Sequence, residues 1–385
     1  MICGMPRILN RYIFNELAGV FFLSILILTG TALLSKIIKI IELLLTKGLP
    51  FTVVMAFVAS LLPSFLIYTI PVALLVAVLV CFTRLSSDSE IIAMKASGIG
   101  LLNIMRPVMA LSVIAFAFSL SIFLYVFPLA NLNLKNILFE AARKSLVSSI
   151  EEGVFYDKFK GAVLYVEHIE PGSDILNGVF ISEELKNGEG NVFLAKSARF
   201  EASDSATAIS LRLFDGTLHR KAVDEGFYHA ADFSSYTVEL NPPQASSLGN
   251  SRSNRELFAD GLLAKARAIE AQGKDPSPVM IDLHKRFALP ASVFIFALIG
   301  VPLGIQKVRS ARLTGFSIAL FVALAYYVSS TALESLGETG ILNPILSAWG
   351  SDIIFLVGGV FAFYGAAREP QKGISSLFAT RPRAS

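Results

Sequence analysis

The chain has 385 residues, of which 54% are hydrophobic, and its mean hydropathy is +0.63. This composition excludes an ordinary soluble protein of the same length and indicates long segments that face lipid. The formal net charge is only +3, so composition offers no electrostatic argument for nucleic-acid binding, and the two cysteines, Cys3 and Cys81, do not suggest a disulfide framework.

Six apolar stretches follow in two groups of three, and a helix needs about 20 apolar residues to cross a bilayer. They are 17–34, 51–83 and 107–134, then 287–306, 313–333 and 353–367 with an approach near Pro344. No small-residue cleavage site follows the first stretch, so we expect it to remain as a helix. The second stretch is longer than one vertical span and contains Pro63 and Pro71, which predicts a tilted or bent helix.

Basic residues predict the orientation, because the cytoplasmic ends of the helices should carry the excess of lysine and arginine. With the amino terminus in the cytoplasm, that side carries Arg7, Arg11, Arg84, Lys95, Arg106, Lys307, Arg309, Arg312 and the basic residues of a tail at 368–385. The short outer loops carry only Lys36, Lys39 and Lys47. We therefore predict helical membrane domains at 1–134 and 287–367, cytoplasmic termini, and an outer location for the residues between the two domains.

The segment 135–252 differs from the membrane stretches, because short runs of β-branched and aromatic residues alternate there with turn signals. Examples are 162–167, 178–182, 191–200, 208–214 and 228–240. Asp215-Gly216 is predicted to close a turn. The pattern predicts an antiparallel β-sandwich or jelly roll, after which 253–286 returns to the membrane through an amphipathic helix at 255–272.

Alternate apolar residues of these strands are expected to form the inner face of the β domain. The residues concerned are Val163, Tyr165, Phe193, Leu211 and Leu213. Two interpretations remain open, because such a face is either a conduit on which acyl chains slide or a sealed core.

The segment 86–98, between the second and third helices, begins with residues that suit a helix N-terminus. It is predicted to be a short cytoplasmic helix, with Ile91, Ile92 and Met94 on an apolar face and Asp88, Glu90 and Lys95 polar. An ordinary intracellular loop is the simpler interpretation. The other is a coupling helix that docks in a groove of a cytoplasmic ATPase and uses Glu90 as its main polar contact.

Catalytic chemistry has little support in the sequence. The nearest approach to a Walker A loop, 190–197, has Ala195 where the second glycine must stand, so any ATP is expected to be hydrolysed by a partner. The four histidines have no metal-ligand spacing, and we expect no metal site and no catalytic residue. Glu334 and Asp352 lie near predicted outer helix ends, where they are expected to reach the interface, with Trp349 as an anchor.

Several segments together resemble a known family. They are Arg11-Tyr12, the loop 89–98, the segment 282–290 and the sequence Gly300-Val301-Pro302-Leu303-Gly304. With the order of three helices, an outer β domain and three helices, they resemble the LptF/LptG permeases of lipopolysaccharide export over nearly the whole chain. The approach to the fourth helix and the Gly-Val-Pro-Leu-Gly sequence are more similar to LptF than to LptG.

The resemblance implies a non-catalytic, multi-pass subunit of an ABC exporter in the inner membrane of Gram-negative bacteria. Such an exporter extracts lipopolysaccharide from the inner membrane and passes it to a periplasmic bridge. The implied partners are an LptG-like permease, two copies of an LptB-like ATPase, and LptC-like and LptA-like bridge proteins. ATP and Mg²⁺ are expected on the ATPase, and no cofactor is expected on this chain.

Lys36 and Lys39 contradict the charge bias, because they follow the outer end of the first helix. Three residues apart, they are expected to share a helical face and to keep their ammonium groups at headgroup level. Ordinary interfacial anchoring is one explanation. The resemblance implies another, a lipopolysaccharide gate between the first helix of one subunit and the fifth helix of the other, where the ammonium groups meet lipid phosphates.

A different class of protein is also compatible with six helices and an outer β domain. An ion-coupled secondary transporter, or a membrane sensor whose β domain binds a ligand, would have the same layout. Such a transporter is expected to have broken helices and ionisable groups near the middle of the membrane. In this sequence the charges stand mainly at the ends of the apolar stretches, which favours the exporter.

Overall fold

The computed structural model describes residues 7–36, 38, 50–147, 152–159, 162–169, 175–184, 190–202, 209–221, 228–240, 253–305 and 313–368. The chain divides into two compact units. The helical unit comprises Met1–Lys36, Leu61–Leu129 and Leu257–Ser385. The sheet unit comprises Ile37–Ser60 and Ala130–Glu256.

The helices follow the apolar stretches of the sequence. In chain order they are α1 Arg7–Leu34, α2 Phe51–Ser87, α3 Glu90–Ala96, α4 Leu101–Ser121, α5 Phe127–Val147, α6 Ala259–Ala271, α7 Ser277–Ile305, α8 Leu313–Glu338 and α9 Pro344–Arg368. A π-helical turn, Ile122–Val126, joins α4 directly to α5. Within the described part of the chain, six helices are long and apolar enough to cross a membrane, with α4 and α5 counted as one. The predicted two groups of three helices are confirmed.

The helices are longer than the predicted apolar stretches, because polar and charged residues continue them: α1 already begins at Arg7, and two further boundaries involve paired charges. The third membrane helix does not end at residue 134 but continues as α5, and Lys135 there lies 3.3 Å from Glu256, with both side chains under 10% exposed. The fourth begins at Ser277 rather than at Phe287, and its Lys285 pairs with Glu334 of α8 at 2.7 Å. A hydropathy pattern treats these charges as helix ends, whereas paired charges are tolerated inside a helix.

Close approach of α7 to α2 explains the glycines of the Gly-Val-Pro-Leu-Gly sequence. A Cβ atom added to Gly300 would lie 2.8 Å from Val78 Cγ1, and one added to Gly304 would lie 2.6 Å from Phe82 Cβ. These distances are shorter than any normal contact, so only glycine allows the helices to pack at this separation. The same core of the helical unit contains the fully buried side chains of Leu75, Leu79, Phe82, Phe296 and Val301.

The sheet unit contains one antiparallel sheet of six strands. They are β1 Phe155–Phe159, β2 Ala162–Ile169, β3 Ile175–Glu184, β4 Gly190–Ala202, β5 Ile209–Lys221 and β6 Tyr228–Leu240. Each strand pairs with the next along the chain, in the order β1-β2-β3-β4-β5-β6. The predicted fold class, six membrane helices with an inserted antiparallel jelly-roll-like domain, is confirmed.

The prediction that Asp215-Gly216 closes a turn is wrong, because both residues lie inside β5. Asp215 has a φ of 49°, and Gly178 on β3 has a φ of 63°. A Cβ atom on Gly216 would overlap the carbonyl oxygen of Leu194 and the ring of Phe233. The register of β5 with β4 and with β6 is the same on both sides of Asp215, so the positive φ occurs inside a continuous strand and does not end it.

The alternation of buried and exposed residues on β3 shifts at Gly178. On β3 the buried residues are Leu176 and then Val179 and Ile181, so the interval across Gly178 is three residues instead of two. All three belong to one buried cluster, which also contains residues of β2, β4, β5 and β6. The pairing register of β3 with β2 and β4 is the same on both sides of Gly178. β4 has the matching three-residue interval, from Ala195 to Ala198, so the alternation shifts in neighbouring strands together and the apolar side chains stay in one cluster.

Candidate functional site

The segment that joins α2 to α4 interacts with α1 and α7 through polar side chains. α2 ends at Ser87, and the Ser86 hydroxyl donates a hydrogen bond of 3.0 Å to the carbonyl oxygen of Ile305, the last residue of α7. Ser89 has a φ of 60° and separates α2 from α3. The chain then forms the seven-residue α3 and leaves it through Gly98, which has a φ of 83°. Gly98 suits this position because left-handed backbone favours glycine.

The predicted helix over 86–98 is therefore shorter than expected. Residues 86 and 87 belong to α2, and α3 covers only Glu90–Ala96. The side chain of Ser89 makes no capping hydrogen bond. Two exposed residues, Ser87 and Asp88, lie before the reversal, so the acids of this segment stand on a turn and on the first residue of a short helix.

Ile91 and Met94 do not form a free docking surface. They are 1% and 7% exposed, and both pack in the core of the helical unit. Their contact with a partner stays a prediction, but in this structure the chain itself already covers both side chains. Ile92, between them, is 49% exposed. The surface that α3 offers is instead the side with Ile92, Ala93, Lys95 and Ala96, all of which are exposed.

Arg84 at the end of α2 connects three helices through its guanidinium group. Its Nη1 lies 2.6 Å from Glu16 Oε1 on α1, and its Nη2 donates to the hydroxyl of Tyr12, also on α1, at 2.8 Å. Tyr12 in turn donates to Glu90 Oε1 on α3 at 3.4 Å. The carboxylate of Asp88 approaches Arg84 Nε to 3.8 Å. We call Tyr12, Glu16, Arg84, Asp88 and Glu90 the joint cluster.

The joint cluster has an excess of negative charge. Three carboxylates against one guanidinium leave a formal charge of −2. Asp88 is exposed and Glu90 is half-buried. A surface with this charge favours a basic partner, which would compensate the carboxylates that Arg84 alone does not neutralise. Sequence reasoning identified Asp88 and Glu90 but missed Tyr12, Glu16 and Arg84 as their neighbours. Tyr12 and Glu16 are far away in the chain, whereas Arg84 is four residues before Asp88, a spacing that was a visible signal.

The residues predicted for a lipid gate are only partly described. Lys36 follows the end of α1 in a turn, where its backbone N–H donates to the carbonyl oxygen of Leu33 at 2.9 Å, and its side chain is exposed. Lys39 lies outside the described residues. Whether the two lysines share a face therefore stays a prediction.

The five residues predicted to share one inner face of the β domain do not all lie on it. Phe193, Leu211 and Leu213 are at most 1% exposed and belong to the buried cluster of the sheet unit. Val163 and Tyr165 are half-buried, and they alternate along β2 with Leu164 and Val166, which are fully buried. Because successive residues of a strand point to opposite faces, Val163 and Tyr165 lie on the other side of the sheet.

The prediction assumed that the buried residues of β2 alternate from Val163. They alternate from Leu164 instead, so the prediction was wrong by one residue on this strand. On its own side of the sheet, Tyr165 packs instead against Phe155, at 4.8 Å between ring centroids. The three correctly placed residues are closed to solvent in this structure.

Polar side chains also join the membrane helices α7, α8 and α9. Lys285 and Glu334 form the ion pair between α7 and α8 described above. Asp352 on α9 is 4% exposed, and its Oδ1 accepts a hydrogen bond of 2.7 Å from the hydroxyl of Tyr326 on α8. Asp352 is therefore covered by the protein and does not reach solvent in this structure. The charge within an apolar stretch was a visible signal, but only packing shows that a tyrosine covers it.

Comparison with known proteins gives a consistent result over nearly the whole chain. The family described as "Lipopolysaccharide export system permease LptF/LptG" matches residues 11–365. The chain is 22% identical over 356 residues to "Lipopolysaccharide export system permease protein LptF" of Escherichia coli (strain K12), covering 91% of this chain and 92% of that protein. The Shigella flexneri protein of the same description matches with the same values. "Uncharacterized protein RP871" of Rickettsia prowazekii (strain Madrid E) is 21% identical over 320 residues, covering 82% and 86%.

Proposed function

The chain belongs to the LptF/LptG family of lipopolysaccharide export permeases, and we propose that it is one transmembrane subunit of an ATP-driven exporter of lipopolysaccharide. In this proposal the subunit holds the lipid path, and a separate ATPase supplies the energy. The sequence has no Walker A loop of its own. The partners are an LptG-like permease, two LptB-like ATPase subunits, and LptC-like and LptA-like bridge proteins.

The joint cluster is the observation that supports ATP-driven coupling. Glu90 and Asp88 lie beside an exposed apolar residue, Ile92, at the reversal between α2 and α4. A groove on the ATPase with basic residues and an apolar floor would complement this combination of charge and shape. Movement of the ATPase would then displace α3, and the hydrogen bond between Tyr12 and Glu90 would transmit the displacement to α1. Arg84 would extend it to the end of α2 through its bonds to Glu16 and Tyr12.

The proposed location is the bacterial inner membrane, with both termini in the cytoplasm and the sheet unit in the periplasm. Basic residues support this orientation, because an excess of arginine is typical of cytoplasmic helix ends. The arginines near helix ends on the side of α3 are Arg7, Arg11, Arg84 and Arg106. The periplasmic sheet would receive lipopolysaccharide extracted from the membrane and deliver it to the bridge.

Lipid transfer through the sheet unit requires an opening of its core. Phe193, Leu211 and Leu213 are closed to solvent, so an acyl chain could contact them only by separating the apolar side chains that now cover them. The exchange of one apolar contact for another has a small free-energy cost, because no apolar surface is left in water. We therefore propose that these three residues form the lipid-contacting part of the sheet, with Val163 and Tyr165 excluded.

Reconstitution tests the proposed function directly. The chain is co-expressed with an LptG-like permease and an LptB-like ATPase from the same organism, purified, and placed in proteoliposomes that contain lipopolysaccharide. We expect a stable complex that releases lipopolysaccharide to an LptA-like acceptor only when ATP is supplied. A chain that purifies without the ATPase and moves no lipid with ATP would contradict the proposal.

Asp352 is the one observation that favours an ion-coupled transporter, because a buried carboxyl group inside a membrane helix is a common coupling site in that class. Substitution Asp352→Asn separates the two functions. An ion-coupled transporter loses its dependence on an ion gradient with this change, and an ionophore abolishes transport by the parent protein. In the exporter the same substitution preserves ATP-dependent transport, because asparagine can still accept the hydrogen bond from Tyr326.

A further inference from the structure

Three arginines converge on a groove between α1 and α4, away from the joint cluster. The groove has a volume of about 420 Å³ and is lined by Arg7, Asn10, Arg11, Phe14, Arg106, Pro107 and Ala110. Arg7 and Arg11 are one turn apart and therefore share a face of α1, while Arg106 comes from the second turn of α4. All three side chains are exposed.

The charge of the groove is not balanced from within the described residues. None of the three arginines forms an ion pair with an Asp or Glu there, in contrast to Arg84, which has one within 2.6 Å. Asn10 adds an amide to the same groove, and its Oδ1 has no hydrogen-bond partner in the part of the chain that the structure describes. Three guanidinium groups that repel one another in one groove are stabilised by a shared anion, most strongly by a phosphate that accepts bidentate hydrogen bonds.

The apolar part of the groove indicates what carries the phosphate. The groove also has apolar lining residues, namely Phe14, Pro107 and Ala110. Along the face of α4 that starts at Arg106, the residues three and seven positions later are Met109 and Val113, which are 36% and 54% exposed. A charged head at the helix ends with an exposed apolar strip directly beside it matches a phospholipid, with its phosphate among the arginines and its acyl chains along α4.

We propose that this groove is a binding site for the phosphate headgroup of an anionic phospholipid. In the orientation given under the proposed function, the lipid belongs to the cytoplasmic leaflet, so it differs from the transported lipid. Basic residues at cytoplasmic helix ends are common without any site. The convergence of three unpaired guanidinium groups and one amide on a single groove is what distinguishes this place from that general bias.

Lipid binding to the purified full-length chain tests the proposal. The chain in neutral detergent is titrated with short-chain phosphatidylglycerol, with short-chain phosphatidylcholine and with inorganic phosphate, and bound lipid is counted by native mass spectrometry. We expect saturable binding of phosphatidylglycerol and at least about tenfold weaker binding after Arg7→Gln, Arg11→Gln and Arg106→Gln are combined. Replacement of the same residues by lysine should retain part of the affinity, because charge remains but bidentate geometry is lost.

A matched variant removes three positive charges elsewhere. Lys95→Gln, Arg267→Gln and Lys274→Gln change exposed residues outside the groove and should leave binding unchanged. Equal loss in this control overturns the proposal in favour of non-specific charge attraction. Displacement of the lipid by millimolar inorganic phosphate overturns the lipid assignment. Unchanged phosphatidylglycerol binding in the arginine-to-glutamine variant, with an unchanged thermal unfolding temperature, overturns the site. None of these readouts depends on transport, so they separate this proposal from the proposed function.

Discussion

Arg84 Nη1 lies 2.6 Å from Glu16 Oε1, and this ion pair fastens the end of α2 to α1. The same guanidinium group binds Tyr12, whose hydroxyl reaches Glu90 on α3. Tyr12 therefore connects α3 with α1, and Arg84 joins the end of α2 to the same cluster. A force applied to α3 has a direct route to α1 through charge-assisted hydrogen bonds, which are stronger than neutral ones.

Removal of the Arg84 contacts between α2 and α1 is expected to uncouple ATP hydrolysis from transport. Arg84→Gln leaves Glu16, which is 15% exposed, without its cation. We expect a loss of only about 0.5–1 kcal/mol of stability, because Arg84 itself is 37% exposed and solvent screens the pair. ATP hydrolysis by the assembled complex should continue while lipopolysaccharide release falls. Adding Glu16→Gln should restore stability, since it removes the uncompensated charge, and a thermal-unfolding double-mutant cycle measures this. Coupled transport at the parental level in the Arg84→Gln complex would argue against the route.

Glu90 is expected to contact the ATPase, and its internal partner provides the control. Glu90→Ala should weaken ATPase binding by about 2 kcal/mol, because a charged contact at a partly exposed interface is lost. Tyr12→Phe removes the hydroxyl that donates to Glu90 within the chain but leaves the carboxylate in place. The first variant should lose the ATPase during affinity purification and the second should retain it. If both variants retain the ATPase equally, Glu90 has only an internal role.

Close packing of α7 on α2 predicts that Gly304 tolerates no side chain. In Gly304→Ala the new methyl group would lie 2.6 Å from Phe82 Cβ, so the helices must separate. We expect a loss of about 1–3 kcal/mol, measured as a lower unfolding temperature in detergent. Gly365→Ala on α9 is the matched control, because no atom lies within 4 Å of the added Cβ there. Equal stability of the two variants would contradict the observed packing.

The face of the sheet on which a residue lies predicts whether that residue contacts lipid. Photo-crosslinkers at Phe193, Leu211 and Leu213 should capture lipopolysaccharide when ATP is supplied to the complex. Crosslinkers at Val163 and Tyr165 should not, because these residues lie on the opposite side of the sheet. Capture at all five positions, or capture that does not depend on ATP, would rule out the proposed path.

Charge reversal at the outer end of α1 tests the predicted lipid gate. Lys36→Glu combined with Lys39→Glu should reduce lipid loading and lipid-stimulated ATP hydrolysis, since repulsion of lipid phosphates adds to the lost attraction. The matched double alanine variant should have a smaller effect, and assembly with the ATPase should remain normal in both. Parental loading by the reversed variant in a reconstituted assay would reduce these lysines to interfacial anchors.

Local properties of the sequence were sufficient for the architecture. Hydropathy over windows of about 20 residues located six membrane helices, because each helix satisfies its own backbone hydrogen bonds and needs only a long apolar run. Short β-branched runs likewise located the antiparallel sheet. Asp215-Gly216 is an exception, because it has the composition of a hairpin turn yet lies in the middle of β5.

Tertiary structure alone decided which of the candidate residues are available for function. An amphipathic pattern states that Ile91 and Met94 share an apolar face, but the membrane helices of the same chain cover that face and leave Ile92 exposed. The joint cluster brings Tyr12 and Glu90 together across 78 positions of the chain, and no periodicity reports such a contact. Periodicity is a property of neighbouring residues, whereas burial and ion pairing depend on which distant segments pack against them.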